Sequence, residues 1–104
     1  MKGTAKRDAK FKSGSVIKGQ NYEIIPPLKH NPGRSFIVID MENQIPVSTG
    51  ILGSIFKQFI NIKMEDLAEG VYDGICKSMT GDEVEPDGWD EHGFPSILLA
   101  MGMI

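Results

Sequence analysis

Six carboxylates and a histidine crowd the stretch GDEVEPDGWDEHGFP, residues 81 to 95: Asp82, Glu83, Glu85, Asp87, Asp90, Glu91 and His92. Carboxylate oxygens at alternate positions are what a hard divalent cation such as calcium requires. Counted as a calcium loop from Glu83, the run puts Glu85, Asp87 and Gly88 at positions 3, 5 and 6. Position 12 is Phe94, where a bidentate carboxylate is needed, and no helical pattern flanks the loop. A solvated hairpin loop is the plainer reading, so no metal site is assigned. A general acid and base pair is disfavoured too, because a polar loop lacks the burial that would separate two carboxyl pKa values.

Nucleophilic chemistry has little to draw on. Cys76 is the sole cysteine and sits in an apolar strand-like run, where a buried structural thiol is the default. His30 and His92 are the only histidines, and a Cys76–His92 pair would require the acidic loop to fold over that strand. No phosphate-binding glycine loop and no G-x-S-x-G elbow occurs. We therefore expect a protein that is not an enzyme, with no catalytic residue and no cofactor.

The basic residues are a different matter, because the net charge of −3 conceals a polarised chain. Residues 1 to 36 carry Lys2, Lys6, Arg7, Lys10, Lys12, Lys18, Lys29 and Arg34 against Asp8 and Glu23, so 8 − 2 = +6. Residues 37 to 104 give 3 − 12 = −9. Lysine and arginine attract phosphates and release their counterions, and exposed aromatic rings stack on bases. Lys10, Lys12, Lys18, Lys29, His30 and Arg34, with Tyr22, Phe36 and Trp89, are the candidate nucleic-acid-binding residues on that chemistry. Each has a plainer role. The cations can simply be solvated, and Trp89 can pin its own loop by packing on Phe94 and Pro95.

The elements that must position these residues follow from where turn formers interrupt apolar runs. Residues 1 to 13 have one aromatic, Phe11, and no sustained period, which predicts a flexible basic arm. Residues 15 to 25 predict a long strand, bent near Gly19-Gln20 and ended by Pro26-Pro27. The turn-rich segment 27 to 35 leads to a core strand over 35 to 41, a reversal at Glu42-Asn43 and a third strand over 44 to 47. Ser48 or Thr49 can cap a helix reaching residue 60, with Ile51, Leu52, Ile55, Phe56 and Phe59 on one face. Gly50 and Gly53 weaken that helix but permit its close approach to a strand. A turn over 64 to 70, a fourth strand over 71 to 78 and a fifth in SILLAMGMI complete the order.

This β-β-β-α-β-β order predicts a mostly β fold, a small five-stranded OB-like (or SH3-like) barrel over residues 14 to 104 with the arm before it. In OB-type barrels the loops between strands one and two and between strands four and five frame the ligand groove. Here one of those loops is basic and the other acidic, a conflict for any polyanion. A single free cysteine, no signal-peptide pattern and no apolar run near the roughly 20 residues of a membrane span suggest a soluble cytoplasmic protein without a membrane partner. The expected partner is single-stranded DNA or RNA. The alternative is a protein-interaction module or homo-oligomer built on the acidic loop 81 to 95 and an apolar C-terminal strand.

Overall fold

The computed structural model describes residues 1–41, 43–62 and 76–103. Its strands are β1 (Lys2–Thr4), β2 (Ala9–Phe11), β3 (Gly14–Val16), β4 (Asn21–Ile25), β5 (Arg34–Val38), β6 (Gln44–Ser48), β7 (Cys76–Lys77) and β8 (Glu83–Val84). A 3-10 turn over Thr49–Ile51 runs into the single-turn helix α1, Leu52–Ile55, and a second short helix, α2, spans Ile97–Ala100. No helix among the described residues is long and apolar enough to cross a membrane.

Four strands form one antiparallel sheet in the order β1-β4-β5-β6, and β2–β3 and β7–β8 are separate hairpins. Alternation along β5 and β6 explains the packing. Ser35, Ile37, Ile45 and Val47 turn inward and are buried, while Arg34, Phe36, Gln44, Pro46 and Ser48 turn the other way. The inner face carries Ile24, Ile37 and Ile45 onto Leu52, Ile55 and Phe56. On its free edge β1 meets the segment after α1: Ala5 bridges Phe56, Lys6 N–H donates to Ile55 O at 2.8 Å, and Lys57 N–H donates to Thr4 O at 3.0 Å. The fold is thus mostly β with antiparallel sheets, and no closed barrel is found among the described residues.

The aromatic rings tie this sheet to the C-terminal part of the chain. Tyr22, Phe56, Phe59 and Phe94 follow one another edge to face, with centroid separations of 6.3, 6.4 and 4.9 Å. Such pairs add roughly 0.5–1.5 kcal/mol each beyond their buried area. Met79, Ile97 and Leu98 complete the same buried cluster.

Four sequence expectations require correction. The basic arm forms β1 and β2 in the structure, with Ala5 fully buried and Ala9 nearly so. Small residues, not large ones, face inward there, which is why no apolar period was visible. The long strand over 15 to 25 divides into β3 and β4, because Gly19 adopts a φ of +86° that turns the chain between two sheets.

The long helix ends after one α turn. Phe56 leaves it for an extended conformation that bridges Ala5 beside β1; Ser48 makes no side-chain cap, and Thr49 Oγ1 is instead bonded to Ser35 Oγ at 2.7 Å in the interior. Ile51, expected on the buried face, is 41% exposed. The C-terminal strand is instead α2, whose first turn is capped by Ser96 Oγ accepting from Leu99 N–H. A short apolar run does not by its period distinguish strand from helix, and the cap decides it. Leu98 is buried, so the proposed strand edge for self-pairing does not exist. The predicted turn over 64 to 70, residues 71 to 75 of the fourth strand, and Glu42 of the reversal lie outside the described residues.

Candidate nucleic-acid interface

Strand β4 separates the predicted basic residues into two groups. Lys10 on β2, Lys12 in the hairpin turn and Lys18 in the turn before β4 are exposed at its start. Lys18 N–H donates to Asp8 Oδ1 at 2.7 Å, which fixes the turn while leaving the ammonium in water. Lys29 and His30, in the loop after β4, and Arg34, the first residue of β5, are exposed beyond its other end. Five extended residues span about 17 Å, so the two groups are not one cluster. None of the lysine or arginine side chains among the described residues lies in an ion pair; the pairs present are Met1 N-terminus to Glu23 and His92 to Glu91.

The three aromatic candidates have three different fates. Tyr22 faces the interior, edge-on to Phe56, and its hydroxyl accepts from Ile17 N–H at 2.9 Å. It builds the fold. Trp89 is half-buried, and its backbone bridges Pro95 within the acidic loop. Phe36 alone lies on the outward face of the sheet, outside the core cluster, paired across strands with Ile25 and Pro46. The β5 run RSFIV held the signal for this: a period of two puts Arg34, Phe36 and Val38 on one face.

The acidic loop is organised by one of its own carboxylates. Asp90 accepts from Thr80 Oγ1 at 2.7 Å, His92 N–H at 2.8 Å and Phe94 N–H at 2.9 Å. Burial alone would raise its carboxyl, but the hydrogen bonds from Thr80, Ser78, Phe94 and His92 together outweigh it and hold the pKa below the ordinary value. A carboxyl lowered in the folded state stabilises above its unfolded pKa of about 3.9 and loses that contribution as pH falls through the folded value. Asp90→Ala is accordingly expected to cost roughly 1 kcal/mol at pH 7, allowing for solvent screening, and less near pH 3. Urea melts of both proteins at the two pH values measure it; an equal cost at both would refute the carboxylate's role.

The remaining polar groups are weaker candidates. Asp82, Glu91 and His92 bring ligand atoms within 4.8 Å of one another, but all three are exposed and such groups commonly meet without an ion. Burial pushes the Cys76 thiol above its usual pKa, against a smaller opposing hydrogen bond with Ser96, and Sγ donates to Glu85 O at 3.7 Å. A raised thiol is a poor nucleophile at neutral pH. The loops of opposite charge do approach: a Cβ on Gly93 would lie 3.4 Å from the ring of Pro26, so the acidic tip rests at the base of the basic loop.

No protein-family model, curated protein or solved structure matches this chain significantly.

Proposed function

We propose that this chain is a noncatalytic module that binds single-stranded nucleic acid through the cations of its first 36 residues. The observation that carries the proposal is the absence of any carboxylate partner for those cations among the described residues. Side chains already neutralised by the protein would gain little from a phosphate, whereas these release counterions when one arrives. The two basic groups at opposite ends of β4 suit an extended strand better than a compact anion. A five-stranded barrel, OB-like or SH3-like, is the finer architecture we attach to this reading. Its support is the spatial order in which the segment around Phe56 flanks β1, followed by β4, β5 and β6. The order favours the SH3-like form.

The test is fluorescence anisotropy with short labelled single strands of DNA and RNA at low salt. Replacing Lys29 and Arg34 together by Ala should weaken binding and reduce the slope of log K against log salt by about 1.4, at roughly 0.7 per cation for single strands. Unchanged affinity and slope would show that the loop after β4 takes no part.

A second reading, a protein-interaction or assembly module, has one observation in its favour. Met101 packs its sulfur over Gly50 beside Ile51, and Ile51, Met101 and Met103 all remain exposed. Under that reading the acidic loop 81 to 95 would meet a basic protein surface, and no oligonucleotide would bind.

A further inference from the structure

The outward face of the four-stranded sheet has an order that neither the core nor the loops explain. Register places Ile25, Phe36 and Pro46 side by side in one cross-strand row, with Arg34 and Ser48 in the row beyond and Lys2, Glu23, Val38 and Gln44 in the row before. Directly opposed residues stand about 4.5–5.5 Å apart and act as one surface. Ile25, Phe36 and Val38 are half-buried and lie outside the core cluster. Phe36 has no ring partner among the described residues, in contrast to the chain of four rings inside.

The charge on this face is cationic in net terms. Glu23 Oε1 accepts from the N-terminal ammonium at 3.0 Å and stands directly across from Lys2, while Arg34 is in no ion pair among the described residues. Arg34 lies two residues from Phe36 on the same face, about 7 Å along the strand. The apolar row of Ile25, Phe36 and Pro46, extended by Val38, has a guanidinium at that distance and polar Ser48 and Gln44 on its flanks. It matches a flat base joined to a phosphate. A duplex already stacks its bases and offers no free face to the ring.

We infer that this face is where the strand is read: an unstacked nucleobase lies on Phe36, between Ile25 and Pro46, and the adjoining phosphate on Arg34. The inference rests on the nucleic-acid reading above and gives it a specific contact surface. Neither Tyr22 nor Trp89 takes part, the one being inside the sheet and the other on the acidic loop.

The experiment compares the full chain with Phe36→Leu, Phe36→Tyr and Arg34→Ala, using a short single-stranded DNA and the same strand made abasic. Phe36→Leu should weaken binding about tenfold with the salt slope unchanged, and Phe36→Tyr should restore it, because stacking needs a π-face and carries no counterion. Arg34→Ala should lower the slope by about 0.7. The abasic strand should bind the unaltered protein about tenfold more weakly, a comparison that needs no folded variant. If the protein binds with a steep salt dependence but Phe36→Leu and the abasic strand behave like their parents, the sheet face is wrong and the nucleic-acid reading stands. If the unaltered protein binds no single strand at low salt, both are lost.

Discussion

Gly53→Ala is expected to cost about 3 kcal/mol or more, a large share of the stability of a domain whose total is of the order of 5–15 kcal/mol. Helix propensity alone argues the other way, since Ala in a helix is favoured over Gly by about 1 kcal/mol. Sterics decide the sign. A Cβ at this position would fall on the carbonyl of Ile60, with Asn61 N also in the way, and both are backbone atoms held by neighbouring structure. Ile60 N–H is itself bonded to Met79 O at 2.9 Å, so that strand of chain has little freedom to retreat. Gly50→Ala, three residues earlier, is the control. Its Cβ would clash with the sulfur of the exposed Met101 alone, which can swing aside, and would stand at ordinary contact distance, 3.8 Å, from Ala100 O, so the substitution should be neutral or slightly stabilising. Urea unfolding of the two variants separates a backbone clash from a general dislike of a side chain in this turn. Equal effects would contradict the packing of α1 on residues 60 and 61.

Phe56→Ala should follow closely, at about 3–5 kcal/mol. Its ring is fully buried, meets the rings of Tyr22 and Phe59 edge-on, and fills the space that Gly3 leaves open on β1, where a Cβ would stand 3.0 Å from it. Truncation removes the ring at the junction of the sheet and the C-terminal segment. Lys57→Ala, next in sequence, should be almost silent, because the Lys57 side chain is exposed and the bond to Thr4 O comes from its main chain. A denaturant midpoint that moves as far for Lys57→Ala as for Phe56→Ala would overturn the turn geometry after α1.

Where side chains were large and alternated, the sequence was readable. QIPVS announces β6 through β-branched Ile45 and Val47 at alternate positions and RSFIV announces β5 through its aromatic and β-branched content, whereas Gly53, expected to let the helix approach a strand, instead lets it approach the backbone of Ile60 and Asn61. Other parts were not readable for identifiable reasons. Gly3, Ala5 and Ala9 are buried with side chains too small to register as an apolar face, so β1 and β2 looked like a solvated arm. ILLA is apolar at every position and has no period, and only the Ser96 cap distinguishes helix from strand. At the candidate interface, Phe36 and Arg34 are candidates by residue type, whereas Ile25, Pro46 and Lys2 become their neighbours through register alone. Tyr22 and Phe36 have the same prior for stacking as residues. Which faces inward depends on which side of its strand each occupies.

The central claim, that the cations of the first 36 residues bind a single strand, is tested most directly by the affinity of the unaltered chain for a short single-stranded oligonucleotide across a range of salt. The account predicts measurable binding at low salt to DNA or RNA and a linear fall of log K with log salt, with a slope of about −0.7 for each phosphate contact made. No binding to either nucleic acid at the lowest salt, or an affinity indifferent to salt, would contradict it.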